Sequence, residues 1–348
     1  MSLTPKDYRG WIPAWISWNG AEPSVEWCYT GGAHLSASFF EQSVTEYLRH
    51  PFNRLFRRRT GLATMAAFED TADAARPAGF IFHMSRCGST LLTRMLAALP
   101  QIMALSEPGP VESLLHAHLR HGAISAEQRV LWFRRLVGGF ARHQVRDERH
   151  LFIKFDCWSL NELPIIQAAF PDVPCLFLYR DPIEVLVSHQ RQPGRQMMPG
   201  ALEPELFGMD LNTAIALPIL DYRVRVLASL CQTALTRARE NQLYLLHYNE
   251  LPAALPLLMT NLFEIRTSDA DNDLLAEAAR IDAKNPQAQF APDSRAKRAE
   301  ASAELAATVE TELSSIYGQL EALRAQQRQS QRDGIGEERQ ASALRPSC

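Results

Sequence analysis

From residue 76 onward, short apolar runs of strand length alternate with longer segments of helical spacing, and this alternation limits the fold more than any other feature. The strand-like runs are "GFIF", "LFIKF", "CLFLY" and "LYLLHY". Helical segments begin at Ser89, run through "LNELPIIQAAF" and return at "PIEVLVSHQ". That order predicts an α/β domain over residues 76–298, with a parallel central sheet between two layers of helices. With 348 residues, 46% of them hydrophobic, the chain can bury such a core and carry additions to it. Residues 1–75 hold Trp11, Trp15, Trp18, Trp27, Phe39 and Phe40 and end in "EYLRHPFNRLFRRRTG". They read as a helical N-terminal extension packed on the core. Leu305, Val309, Leu313, Ile316, Leu320 and Leu323 recur at spacings of three and four, which predicts an amphipathic helix over 299–325. The polar residues 326–348 are expected to be disordered. The Pro-, Met- and Gln-rich stretch from Arg191 to Asn212 has weak periodicity and reads as a lid or binding loop.

Charge and cysteine usage exclude several partners. A net charge of -3 and a pI near 6.4 give no global attraction to nucleic acid or to an anionic membrane, so an anion must bind in a local pocket. Cys28, Cys87, Cys157, Cys175, Cys231 and Cys348 form neither a CxxC pair nor a closely spaced framework, as reduced thiols of a cytoplasmic protein would not. The start, "MSLTPKDYRGWIPAWISW", has no long apolar core of a signal, and no run approaches the ~20 apolar residues of a spanning helix.

"HMSRCGST" lies between an apolar strand and a helix with a leucine-rich face. Against the phosphate-loop template GxxxxGK[ST], Gly88 matches the second glycine and Thr90 the hydroxyl, while Ser89 stands where ATP-binding loops carry lysine. The geometry still suits an anion, because a helix starting at Ser89 aims its free N–H groups above the turn. Arg86 brings a cation to the same turn. The bland alternative is a strand-helix corner that merely uses Gly88 to reverse direction. A second stretch, "CLFLYRDPIEVLVSHQ", runs a strand into Arg180, with Asp181 at the cap position and Pro182 at the first helical position. Ser188 follows Arg180 by eight residues. Taken alone, "RDP" reads first as a helix cap beside a surface arginine.

Together the two stretches resemble the sulfotransferases that use 3′-phosphoadenosine-5′-phosphosulfate (PAPS), especially the tyrosylprotein and bacterial branch with arginine in the first motif. In that family a strand-loop-helix holds the 5′-phosphosulfate, and a strand ending in "RDP" with a serine eight residues later holds the 3′-phosphate. The resemblance covers roughly residues 76–265 and implies a P-loop-like three-layer α/β/α fold. It also implies sulfuryl transfer from PAPS to a hydroxyl or amine by in-line displacement. Carried over residue by residue, Arg86, Cys87, Gly88, Ser89 and Thr90 bind the 5′-phosphosulfate, and Arg180 and Ser188 the 3′-phosphate. Glu107 in "LSEP" takes the base position, and Lys154 in "FIKFD" lies near the bridging oxygen. "LHYNEL" is similar to the family's late strand and acidic turn. The proline usual before the arginine is absent, "CGST" replaces "SGTT", and no adenine-stacking residue can be carried over. A sulfuryl group in flight carries less charge than a phosphoryl group, so arginine, lysine and backbone N–H groups are expected to suffice without a metal. The acceptor, a small molecule, glycan or peptide, is not legible, nor is the oligomeric state.

Several residues admit plainer readings. Glu107 beside Pro108 could cap a loop, and Lys154 could be a strand-end charge. Asp156 is a metal-binding carboxylate in a nucleotide kinase or, preferably here, a partner of its own turn. Of His116, His118 and His121, only the last two could share a helix face, which argues against zinc. His83 and His189 flank the anion motifs as reserve bases or core histidines. Arg57, Arg58 and Arg59 read as a solvated face, and "PDSRAKR" (Pro292–Arg298) as a surface run or a cover for the 3′-phosphate. The alternatives to a sulfotransferase are a P-loop nucleotide kinase, which lacks its lysine here, and a nucleotide-binding protein without catalysis.

Overall fold

A computed structural model describes residues 5–20, 22–33, 35, 38–69, 74–122, 124–142, 148–281 and 293–343, with side chains described as far as residue 330. The extension expected to be helical is built on an antiparallel sheet. Strands β1 (Trp11–Asn19), β2 (Glu22–Tyr29) and β3 (Arg58–Gly61) pair in the order β1-β2-β3, with helices α1 (Phe40–Leu48) and α2 (Pro51–Leu55) between the last two. The prolines that obscure the strand pattern are tolerated where they stand. Pro13 is on an edge strand beside a register shift, and Pro23 is at the start of β2.

The chain then enters a five-stranded parallel sheet. Its strands are β4 (Arg76–His83), β5 (Ile102–Ser106), β6 (His150–Lys154), β7 (Cys175–Tyr179) and β8 (Tyr244–His247), in the spatial order β5-β6-β4-β7-β8. The expected α/β/α architecture is present, with helices on the sheet. The four expected strands are present too, and β5, "IMALS", is a fifth that follows so closely on a helix that its run merges with the helical pattern. Helices α3 (Ser89–Ala97), α4 (Gly109–Leu115), α5 (Ala117–Arg120), α6 (Ala126–Ala141), α7 (Leu163–Ala169), α8 (Pro182–Arg191), α9 (Leu211–Ala216) and α10 (Ile219–Arg239) follow in turn. Phe80, Phe82, Phe152 and Phe177 are wholly buried, and the Phe82 and Phe155 rings stack at 4.8 Å. The N-terminal sheet is seated on α6. Gly139 of α6 meets Pro13 and Trp27, and a Cβ at Gly138 would stand 1.8 Å from the carbonyl oxygen of Phe68, in the 3-10 turn Leu62–Phe68 that follows β3, so only glycine permits this approach.

Beyond α11 (Leu255–Asn261) and α12 (Asp269–Arg280), a short helix α13 (Ser294–Glu300) precedes the expected C-terminal helix, which is itself divided into α14 (Ala303–Glu312) and α15 (Ser314–Ala343). Ser302 caps α14 by accepting from the Leu305 N–H at 3.1 Å, which accounts for the break after α13. Leu305, Val309, Leu313 and Leu320 are buried, as their spacing requires. The helix does not end near 325, where a disordered tail was expected. Gln327 accepts from the Leu245 N–H at 2.9 Å and donates to the Leu243 carbonyl at 2.8 Å, so α15 covers the free edge of the sheet at β8. Gln327 is polar where it meets an edge of backbone groups rather than an apolar face.

The stretch 191–212 is not an open loop. Short 3-10 turns at Arg195–Met197 and Pro204–Phe207 bury Met197, Leu202, Leu206, Phe207 and Met209. Among the described residues no helix is long and apolar enough to cross a membrane.

Candidate active site

Each core strand delivers a polar or aromatic side chain at its C-terminal end, the edge at which open parallel sheets bind ligands. His83 ends β4, Glu107 follows β5, Lys154 ends β6, Arg180 follows β7 and Tyr248 follows β8 by one residue.

The turn after β4 is wound tightly. Ser85, Arg86 and Gly88 take φ values of 70°, 49° and 89°, so two non-glycine residues sit in the left-handed region that their side chains disfavour. His83 helps to hold them, since its Nδ1 accepts from the Ser85 N–H at 3.0 Å. Gly88 stands at the cap of α3 with no side chain to cover the first N–H groups, which stay available to an outside anion. A Cβ on Gly88 would come within 2.6 Å of the Tyr248 ring. Ser89 and Thr90 are buried on the first turn, and Arg86 donates from Nη2 to the Gln192 carbonyl at 2.7 Å. Cys87 turns the other way. Its thiol lies 3.1 Å from the Leu178 carbonyl and burial pushes its pKa up to about 12, so only its backbone can serve an anion.

Beside this turn lies a compact charge cluster. Glu107 donates its N–H to the Lys154 carbonyl at 2.7 Å and holds φ at 54°. Its Oε1 is 2.9 Å from Lys154 Nζ and 3.3 Å from His83 Nε2. Burial pushes the Glu107 carboxyl up, but the Lys154 charge and the His83 hydrogen bond outweigh it and hold the pKa at about 2. Burial also keeps the His83 pKa below its ordinary value, against the pull of Glu107. Because Nδ1 accepts from Ser85, the neutral ring carries its proton on Nε2, facing Glu107. The Lys154 side chain is fully buried, and the Phe39 ring of the N-terminal layer stands 5.1 Å from Nζ. Asp156 does not bond its turn as expected. The Asp156 carbonyl accepts from the Ser159 N–H at 3.0 Å, while its side chain caps nothing; burial and the charges of Glu107 and Glu112 push its pKa well up.

The turn after β7 is built from side chains instead. Asp181 accepts from the Ile183 and Glu184 N–H groups at 2.9 and 3.3 Å, and Pro182 opens α8, as the sequence implies. Arg180 is 3% exposed and already engaged. Its Nε donates to Glu184 at 2.6 Å, its Nη2 to Asp293 at 2.6 Å and to Ser294 at 3.0 Å, and its guanidinium lies 4.0 Å from the Tyr248 ring centre. Ser188 is one turn beyond Glu184 on the same helix and half-buried, so Glu184 stands between it and Arg180 in the order of the face. His189 is buried and accepts from the Gly194 N–H at 3.2 Å, which makes it part of the loop's support.

The structure thus gathers Arg86, Gly88, Ser89, Thr90, Glu107, Lys154 and His83 around one corner, with Arg180 joined to them through Tyr248. Sequence reasoning missed Tyr248, Phe39, Glu184 and Asp293. Tyr248 was visible in "LHYNEL", where only the acidic turn drew attention, and Asp293 was hidden in a run read as basic. Pro292, at the start of that run, lies outside the described residues. Phe39 carries no local signal. The three clustered histidines diverge: His121 stacks on Trp18 at 4.0 Å, His118 faces Glu162 at 3.7 Å and His116 faces Glu112 at 3.8 Å. Arg58 covers Trp11 at 4.5 Å and Arg59 pairs with Glu26 at 2.5 Å, so these two arginines serve the N-terminal sheet.

No family model and no curated protein matches the sequence. Among solved structures, a sulfotransferase from Alicyclobacillus acidocaldarius is similar at 19% identity and a TM-score of 0.40, over 72% of this chain and 96% of that one. The sulfotransferase domain from the curacin biosynthetic pathway is similar at 15% identity and a TM-score of 0.39, over 73% and 98%. A sulfotransferase from Mycobacterium avium is similar at 13% identity and a TM-score of 0.40, over 78% and 82%. Likenesses at these identities and scores leave substrate and chemistry to be argued from the residues.

Proposed function

We propose that the chain is a PAPS-dependent sulfotransferase, and the observation that carries this reading is the Lys154–Glu107–His83 cluster beside the uncapped start of α3. A buried lysine and a carboxylate at adjacent strand ends are costly for a fold that needs only stability. They suit a reaction that moves a proton and a negative charge at one point. In this reading the Arg86 side chain, the N–H groups after Gly88 and the Ser89 and Thr90 hydroxyls hold the 5′-phosphosulfate. The acceptor oxygen attacks sulfur in line, the bond from sulfur to the phosphate oxygen breaks, and Glu107 takes the acceptor proton. Lys154 offsets the charge gathering on the departing oxygen.

The low pKa of Glu107 adds a step to this scheme. A carboxyl held at about 2 is a poor base at neutral pH. Donor phosphate drawing Lys154 toward itself would weaken its hold on Glu107 and restore basicity, so the base is armed only when the donor is in place. Phe39 excludes water on the far side of Lys154. The acceptor, whether small molecule, glycan or peptide, presents a hydroxyl or amine to Glu107. Cys28, Cys87, Cys157, Cys175 and Cys231 are buried and free, which suits a cytoplasmic enzyme.

The test is calorimetric. The product nucleotide adenosine 3′,5′-bisphosphate is expected to bind at least tenfold more tightly than AMP or ATP, because a charge-assisted pair with Arg180 contributes roughly 1.5–3 kcal/mol. Sulfuryl transfer, followed by mass spectrometry over acceptor pools, is expected to survive EDTA, since Arg86 and Lys154 supply the positive charge. Equal affinity for AMP, or Mg²⁺-dependent ATP turnover without sulfuryl transfer, overturns the reading.

A further inference from the structure

We propose that Asp293 is a built-in competitor for the 3′-phosphate, and that it sets how tightly a 3′-phosphorylated nucleotide binds. This rests on the nucleotide reading above but concerns a residue which that reading does not use.

The two carboxylates on Arg180 are not equivalent. Glu184 is buried on α8, 2.6 Å from Arg180 Nε and 3.0 Å from Arg298 Nε, so two cations and its own helix fix it. Asp293 belongs to a separate element, immediately before α13, and its side chain is 44% exposed. One of its oxygens is 2.6 Å from Arg180 Nη2, the other 2.8 Å from Lys297 Nζ. The side chains of Arg180 and Lys297 are only 4% and 7% exposed. Releasing Asp293 to water therefore costs that carboxylate little, whereas the two cations it leaves behind would be buried with Glu184 as their remaining anion. An incoming group must replace the lost charge. A phosphate dianion does so with more charge and three acceptor oxygens, whereas a hydroxyl at the same position does not.

The consequence is quantitative. When binding requires a minor state, here Asp293 turned away, apparent affinity falls by the fraction of molecules in that state. Asp293→Asn keeps the shape and removes the charge. Half-exposed ion pairs suggest an effect of roughly two- to fivefold in affinity for adenosine 3′,5′-bisphosphate. AMP, lacking the 3′-phosphate, leaves Asp293 in place and is expected to bind Asp293→Asn and wild type alike.

Isothermal titration of wild type, Asp293→Asn and Asp293→Ser with adenosine 3′,5′-bisphosphate and with AMP tests this, the serine variant guarding against a fault peculiar to asparagine. Tighter bisphosphate binding with unchanged AMP binding is expected, and the gain should vanish in an Arg180→Ala background. Unchanged or weaker bisphosphate binding in both variants overturns the competitor role while leaving the nucleotide reading intact. Failure of wild type and both variants to bind the bisphosphate overturns the two together.

Discussion

The two strand-helix corners of the site solve the same problem by opposite means. After β4 the chain uses backbone: three positive φ angles, a glycine at the cap and a helix start with no side chain across it. After β7 it uses side chains: an aspartate cap, a proline and an arginine already held by Glu184 and Asp293. The first corner leaves its N–H groups open and places Glu107 and Lys154 beside them. The second fills its own charge. A backbone site can offer several donors without moving, which suits a group whose charge changes during reaction. A side-chain site must exchange partners, which suits an anchor. Changes at the first corner should therefore lower turnover or unfold the chain, and changes at the second should alter affinity or local stability.

The largest separation is expected from Glu107→Gln, which keeps shape and reach but cannot take a proton. Turnover on the true acceptor should fall by ~10²–10⁴, with affinity for adenosine 3′,5′-bisphosphate within about threefold. Steady-state kinetics together with titration measure both. If affinity falls as far as turnover, the first corner is an anchor too and the division fails. The same residue should mark acid stability. Because the folded pKa of Glu107 is depressed to about 2 from 4.5, its contribution to stability is complete above about pH 4.5 and is lost as pH falls toward 2. Denaturant titrations across that range should give a flatter pH dependence for Glu107→Gln than for wild type.

Gly88→Ala should come next. At φ 89° a side chain is strained, and its Cβ would meet the Tyr248 ring at 2.6 Å. A cost of about 2–4 kcal/mol is expected, from backbone strain and overpacking together. Thermal unfolding reads it. Since Tyr248 also lies over Arg180, displacement of its ring should weaken bisphosphate binding, so this substitution is expected to couple the corners. Loss of stability with unchanged bisphosphate affinity would show that the ring's two contacts are independent.

These corners also explain what was legible from sequence. Strand, turn glycine and helix occupy consecutive positions in "GFIFHMSRCGSTLL", so pattern alone exposes the first corner, and "LYRDP" exposes the cap and arginine of the second. Neither Phe39 nor Asp293 could be found that way. Phe39 reaches Lys154 from the N-terminal layer, which packs on α6 where Gly139 meets Pro13 and Trp27, and Asp293 reaches Arg180 across more than a hundred residues. The N-terminal strands were obscured by prolines whose tolerance depends on edge position and on a register shift, neither of which a one-dimensional pattern contains. Gln327 falls in the stretch expected to be disordered, because bonding to a strand edge requires no apolar periodicity.

The smallest effect should come from Asp181, and it tests whether the second corner is held by its side chains. Asp181 accepts from two N–H groups of α8 and pairs with Arg298, which is 58% exposed on its side chain. Screening by solvent leaves that ion pair little weight, so the cap should dominate. Asp181→Ala is then expected to cost about 1 kcal/mol in thermal unfolding, and Asp181→Asn, which still caps, only a few tenths. The first corner offers no such contrast, because no side chain caps α3. If Asp181→Asn costs as much as Asp181→Ala, charge rather than capping holds the second corner. Arg298→Ala, which removes that ion pair together with the one to Glu184, should then cost at least as much.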